Sequence, residues 1–399
     1  MIASIGTTAA AAADHAGVLA LAQDLVRLPS RAGIDPYELV LSHTEAWLAA
    51  HTLPSRRLLD TTGATVGLTC EVTGTRPGPR WVLDACLDTA PFGDEIAWTH
   101  PPTCGTIADG WLWGRGAADS KTGAAIFCHI AARLAADPTS LRGSLVLLLD
   151  VDEHTGAFGG ATRYFAGSDA PDDVAGVMIG YPGLDKLVVG GRGVLRARLH
   201  VHGVASHTGG RTSSPNAIEK AAHLVNQLAA ADLNAAVDPT FPLPGKLTVT
   251  AITGGQGYSI TPDLCTVAVD IRTTRGFDDT AALELLHTTA ARVDGGWPAT
   301  GPTHVQIETR WPAYALPPDS TLRTAILDAA QAHGVVVPAS IAGPSNIGNY
   351  LAGLAIPATA GFGVTYRALH ATDERIRIDT IPIVQAIYYD AILRLMGSR

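Results

Sequence analysis

Residues 81–88 read WVLDACLD and residues 144–153 read SLVLLLDVDE. Each is a short apolar run that breaks into carboxylates at its C-terminal end, the pattern of a strand buried on both faces rather than on one. Between them lies an alanine-rich helical stretch, Gly123 to Ala136. Strand, helix and strand in that order predict an α/β architecture around a largely parallel sheet. In such sheets ligands collect at the carboxyl ends of the strands, which is where Asp88 and Glu153 fall.

Outward from this pair the same alternation continues toward the N-terminus, with helical periodicity near Gly17 to Leu28 and Pro36 to His51. Toward the C-terminus the pattern changes at about residue 191. VLRARLHVHG reads as a strand, NAIEKAAHLVNQLAAA as a helix, KLTVTAITGG and CTVAVDIRTT as strands, DTAALELLHTTAARV as a helix and THVQIETRW as a strand. That β-α-β-β-α-β order is a ferredoxin-like unit. Pro215 just inside the first helix, and the Asp278-Asp279-Thr280 cluster before the second, are suitable start signals. The proline-containing WPAYALPPDS then reads as a hinge that returns the chain to its first domain. The expected division is a three-layer domain from residues 1–190, an inserted α+β domain over 191–311, and the second part of the first domain over 312–399.

Composition agrees with this size. A chain of 399 residues exceeds what one hydrophobic core usually supports. With 47% apolar and 16% charged residues it reads as a well-buried globular protein. A formal charge of -9 without a Lys/Arg cluster speaks against nucleic acid or an anionic membrane as partner and leaves a small molecule. The five cysteines, Cys70, Cys86, Cys104, Cys128 and Cys265, are scattered, which suggests neither a disulfide framework nor a structural zinc knot. The start, MIASIGTTAAAAADHAG, lacks the basic residues and continuous apolar core of a secretory signal, and no later stretch is long enough to span a bilayer. A cytoplasmic location is expected.

Four segments set polar groups beside apolar strands: DACLDTAP (84–91), GRGAADSKTG (114–123), DVDEHTG (150–156) and ALHATDE (368–374). Hydrolysis of an unactivated amide needs a strong nucleophile at neutral pH, which a bound metal supplies by acidifying water while a carboxylate takes the proton. Asp88, Asp119, Glu153, His154 and His370 are residue types suited to that work. In this order and spacing the segments resemble the zinc-dependent superfamily of acetylornithine deacetylase, succinyl-diaminopimelate desuccinylase, aminoacylase and glutamate carboxypeptidase. The resemblance extends over nearly the whole chain, including GVASHTGGRTSSPNAI (203–218) and ITPDLCTVAVDIR (260–272) of the insert.

The resemblance implies that Asp119 bridges two metals, that Asp88 orients a ligand, that Glu153 is the general base and that His370 binds the second metal. It further implies an inserted lid and dimerisation domain and a homodimer, in which His207 reaches the substrate carbonyl, in many relatives from the partner subunit. Arg272 would hold a substrate carboxylate, and Ser345, Asn346 and Asn349 of GPSNIGNY (343–350) would lie beside the cleft. Four familiar positions differ. Cys86 stands where the family has a metal-binding His, Glu153-His154 replaces a Glu-Glu pair, Tyr181 in IGYPG replaces an acidic ligand, and Ser259 replaces an Asn.

Sorted by metal, the first position keeps Asp119 with Cys86 and Tyr181, whereas the second has Asp119, His154 and His370, a sound zinc set. Cys86 reads as a buried apolar side chain, a thiolate ligand, or a nucleophile near His154 or His370. Tyr181 either fills the first position with its ring and bonds Asp119, or is a structural tyrosine at a strand end. The leading expectation is an amide hydrolase acting on a small N-acyl amino acid or peptide-like substrate with one zinc ion. The alternatives are a metal-independent enzyme that performs acyl transfer, elimination or cyclisation with Cys86, His154 and Tyr181, and a non-catalytic homologue.

Overall fold

In a computed structural model, which describes residues 2–233, 238 and 241–397, every residue from Leu145 to Leu149 is buried. The strands of the two larger sheets are, in chain order, Ser55–Leu59 (β1), Thr65–Thr73 (β2), Arg76–Cys86 (β3), Arg142–Asp150 (β4), Val174–Ile179 (β5), Gly193–His202 (β6), Lys246–Gly254 (β7), Leu264–Thr273 (β8), His304–Trp311 (β9) and Ala358–Ala360 (β10). The α-helices among the described residues are Ile2–Arg27 (α1), Glu38–Ala50 (α2), Thr122–Ala136 (α3), Gly159–Ala166 (α4), Ala217–Ala229 (α5), Asp279–Gly295 (α6), Thr321–Ala332 (α7), Ile347–Gly353 (α8) and Ile381–Met396 (α9).

Two compact units result. The first comprises Met1–Val189, Leu316–Ser340 and Ala355–Arg399, and the second Gly190–Ala315 with Ile341–Leu354. The first is built on a mixed six-stranded sheet in the order β1-β2-β4-β3-β5-β10. Its β3 pairs in parallel with both β4 and β5, and β5 with β10, while β2 and β1 add an antiparallel edge. Register sets Ala85 beside Leu149 and Cys86 beside Asp150, so the two pairs point to opposite faces. On the Ala85 face lies α3, with Phe127 against Gly180; on the Asp150 face lies α4, whose Gly160 has no room for a side chain.

The first helix begins earlier than periodicity suggested. Alanine is the strongest helix former, so the alanine-rich start extends α1 back to Ile2. By length and composition Ile5–Arg27 is long and apolar enough to cross a membrane, but Val18, Leu21, Ala22, Leu25 and Val26 are buried where α1 packs on α3 and α9. The five cysteines form no disulfide.

The second unit follows the expected β-α-β-β-α-β order, with an antiparallel sheet in the order β7-β8-β6-β9. Leu195, Ala197, Leu199 and Val201 of β6 enter its core beneath α5 and α6, while Arg196 and Arg198 alternate to the other face. The segment 341–354, which chain order alone places with residues 312–399, groups with this unit. The reason is Asn349, whose buried Nδ2 donates to the carbonyls of Gly191, Arg192 and Pro312.

One buried cation is held inside the second unit. Lys220 Nζ lies 2.8 Å from Asp294 Oδ1 and donates to Thr300 Oγ1 and the Gly301 carbonyl. Removing one partner of a buried pair strands the other charge. Asp294→Ala is therefore expected to lower the unfolding free energy in urea by about 3 kcal/mol. Lys220→Met should lower it less, since Asp294 retains solvent contact.

Candidate active site

Past the end of β3 the chain carries Asp88, and past the end of β4 it turns sharply through Asp152, whose φ is 72°, to present Glu153 and His154. Asp88 is fully buried and its Oδ2 accepts the backbone N–H of His154 at 3.0 Å. This bond ties the two strand ends together. The third segment is the turn Ala117–Lys121, which Gly116 enters with φ 81°; a Cβ there would meet Thr89 at 2.5 Å. Thr122 Oγ1 donates to the Ala117 carbonyl, and Lys121 Nζ donates to the Leu25 and Leu28 carbonyls, anchoring the turn to α1. The fourth is the loop bearing His370, itself at φ 57°.

Together these place two imidazoles against one carboxylate oxygen. His370 Nε2 lies 2.9 Å and His154 Nε2 3.6 Å from Asp119 Oδ2, with the rings 5.1 Å apart. His154 Nδ1 stands 3.4 Å from Asp88 Oδ2 and 3.3 Å from Glu153 Oε2. So His154 is surrounded by three carboxylates, yet neither ring nitrogen forms a well-directed hydrogen bond to any of them. Burial alone would lower the His154 pKa, but Asp119 and Asp88 hold it far above the ordinary value. Asp119 shifts oppositely: burial pushes it up, and His154 and His370 pull it well below the usual carboxylate range. The donors of Asp119, His154 and His370 all lie within 4.8 Å of one another. Adjacent ligands of a tetrahedral zinc are about 3.3 Å apart, so this set fits one such ion with little movement.

Cys86 and Tyr181, two of the positions that depart from the expected pattern, sit next to this group. Cys86 is buried, its Sγ 3.3 Å from Ser120 Oγ and 3.9 Å from Asp119 Oδ1. Burial pushes its thiol well above the ordinary value, which disfavours a thiolate. Cys86, Glu153 and His154 form a second close trio of donors. Tyr181 does not bond Asp119: its hydroxyl donates to Glu153 Oε1 at 2.6 Å. Burial and the nearby Asp119 raise Glu153 to about 7.

The profile of peptidase family M20/M25/M40 matches residues 82–394. The chain belongs to that family. It is thus an enzyme of the M20 metallopeptidase and amidohydrolase kind. It is 28% identical over 312 residues to a succinyl-diaminopimelate desuccinylase of Cereibacter sphaeroides, covering 75% of this chain and 79% of that one. A tripeptidase of Staphylococcus aureus shares the fold with a TM-score of 0.72 at 19% identity, covering 95% of this chain and 97% of the other. A dinuclear metal-binding M20 peptidase of Bacillus subtilis does so with a TM-score of 0.72 at 15% identity, covering 96% and 98%.

The remaining positions singled out in the sequence belong to the second unit and are held there by local bonds. His207 is exposed on a short strand paired with Ile260–Thr261, and its Nδ1 accepts the Gly209 N–H at 3.0 Å. A neutral His207 therefore carries its proton on Nε2. Ser259 is next to that pairing, its carbonyl accepting the Thr208 N–H. Arg272 turns Nε and Nη2 onto Asp270 at 2.7 and 3.1 Å and Nη1 onto Ser345 Oγ at 3.2 Å. A substrate carboxylate would have to share this fork with Asp270. Asn346 caps α8 with Oδ1 on the Gly348 N–H, and Asn349 Oδ1 accepts the Asn346 N–H in return.

Sequence reading missed two supports of the site. Glu374, the last residue of ALHATDE, is wholly buried; its Oε1 accepts the N–H groups of Ala118 and Asp119, and its Oε2 lies 2.6 Å from Arg115 Nη1. It therefore fixes the backbone that presents Asp119. Below the site, Asp84 and Asp150 are fully buried, and none of their carboxyl oxygens has a hydrogen-bond partner. Burial and Glu153 push Asp84 up to about 8, and burial with Asp84 pushes Asp150 well above the ordinary value.

Two outcomes follow from these supports. Glu374→Gln leaves the buried Arg115 without its counter-charge and should lower stability by about 3–5 kcal/mol in urea unfolding. The folded-state pKa of Asp84 is raised, so its contribution is fully present below the unfolded value near 3.8 and is lost as pH rises through about 8. Measured from pH 5 to 8, the melting midpoint of Asp84→Asn should fall less than that of the unsubstituted protein.

Proposed function

We propose that this M20 enzyme hydrolyses an amide bond in a small N-acyl amino acid or peptide-like compound, with one metal ion held by Asp119, His154 and His370 and Glu153 as general base. The observation that carries this reading is the convergence of both imidazoles on Asp119 Oδ2 while Glu153, beside them, is bonded to Tyr181. The desuccinylase relatives support amide hydrolysis as the reaction class.

Zinc in a site of two imidazoles and a carboxylate supplies an acidified water and polarises the substrate carbonyl. The side chains do the rest. With its pKa near 7, Glu153 takes a proton from the attacking water at neutral pH and returns it to the departing amine. Asp88 orients His154 by accepting its backbone N–H and by standing beside Nδ1. His207, by the family resemblance, would donate from Nε2 to the developing oxyanion. Arg272 and Asn346 would bind a substrate carboxylate, with Asp270 as the competitor that such a ligand displaces. A homodimer is supported by the exposed apolar side chains Ile252, Tyr258, Ile260 and Leu264 of the second unit. Metal-independent catalysis with Cys86 as nucleophile is disfavoured by the burial and raised pKa of its thiol.

Metal analysis of the purified enzyme should give about one zinc per chain, and complete chelation should abolish hydrolysis of N-acyl amino acids. His370→Ala should reduce bound zinc. Glu153→Gln should keep it while lowering kcat by about 10²- to 10⁴-fold. Two metals per chain, or turnover that survives full metal removal, would overturn the reading.

A further inference from the structure

Tyr181 follows β5 on a backbone with little freedom. The Gly180 N–H bonds the Asp84 carbonyl at 2.8 Å, Gly183 N–H bonds the Val364 carbonyl at 3.0 Å, and Gly363 N–H bonds the Gly183 carbonyl at 2.8 Å. Pro182 further restricts the residue before it. A tyrosine fixed in this way has two side-chain torsions left, and its hydroxyl meets Glu153 Oε1 at 2.6 Å. Glu153 comes from a turn rather than a strand and has three torsions of its own. Its other oxygen, Oε2, points to His154 Nδ1 at 3.3 Å.

We infer that Tyr181 is a positioning residue for Glu153: its phenolic O–H immobilises Oε1 and so holds the carboxylate in the orientation that sets Oε2 beside His154. This rests on the proposed role of Glu153 as base. An ionised acid at position 181 has no proton to donate, so tyrosine supplies a hydrogen bond that the acidic ligand of the family pattern does not. A hydrogen bond to a charged group is among the stronger ones, and a base swung by an ångström loses much of its rate.

The test is Tyr181→Phe, which keeps the ring and removes the donor. Expected are a fall in kcat of about 10- to 100-fold with KM changed less than about twofold, and unchanged bound metal and melting midpoint. In a Glu153→Gln background the same substitution should cause no further loss, because the group it positions is already disabled. Full kcat in Tyr181→Phe, or an equal loss in both backgrounds, overturns the inference. A measurement independent of that variant is the ultraviolet resonance Raman difference between the unsubstituted protein and Glu153→Gln. It should show one tyrosine changing from a strong to a weak hydrogen-bond donor, and an absence of change in the tyrosine bands overturns the inference. Failure of the metal reading registers separately, in metal content and chelation of the unsubstituted enzyme, whatever Tyr181→Phe does.

Discussion

A carboxylate withdrawn from water must find positive charge or give up its own, and Asp119 satisfies this by facing two imidazoles at the end of the sheet. Neither histidine is near it in sequence, and the three meet only because the strand ends, the Ala117–Lys121 turn and the His370 loop converge. The turn is held from behind by Glu374, which caps two of its N–H groups and is neutralised in turn by Arg115. The chain of charges Arg115, Glu374, Asp119 and His370 thus runs from the interior to a half-exposed imidazole. Each member fixes the next, so a change at Glu374 is felt through the backbone of Asp119 at the His370 imidazole, which Glu374 does not touch.

Where local signals were strong, the fold could be read from the sequence. Unbroken apolar runs such as SLVLLLD declare strands covered on both faces, and the alternation of VLRARLHVH declares a strand with one polar face; both form as expected. The start of α1 was missed because a run of alanines has no periodicity, only propensity. The placement of 341–354 was missed because it depends on one buried amide, Asn349, that reaches three carbonyls from two distant segments.

The site was readable to the same degree. Asp88, Asp119, Glu153, His154 and His370 lie in recognisable segments, and the structure brings all five together. What these residues touch was not readable. Tyr181 was expected either to bond Asp119 or to be structural, whereas its hydroxyl reaches Glu153, a partner that only the folded geometry selects. Glu374 was quoted within a motif and given no role, because its bonds to backbone N–H groups more than 250 residues away have no sequence signature. Asp84 and Asp150 were quoted within motifs and given no role; only their burial on a shared sheet face raises their pKa values.

Charge balance links the altered positions to one another. By the resemblance, His154 and Tyr181 stand where carboxylate ligands are expected, so the buried pocket would carry two negative charges fewer. Two divalent ions among the original acids would leave the remaining Asp88, Asp119 and Glu153 with an excess of positive charge, which is costly to bury. The single dication of the proposed reading would restore the balance. On that argument Cys86 follows from the other two: with no ion at the first position an imidazole there would need a new partner, whereas a small thiol between Ser120 and Asp119 needs none. On the proposed one-metal reading the three residues form one set, in which a phenol bonded to Glu153 stands where the resemblance places a metal ligand.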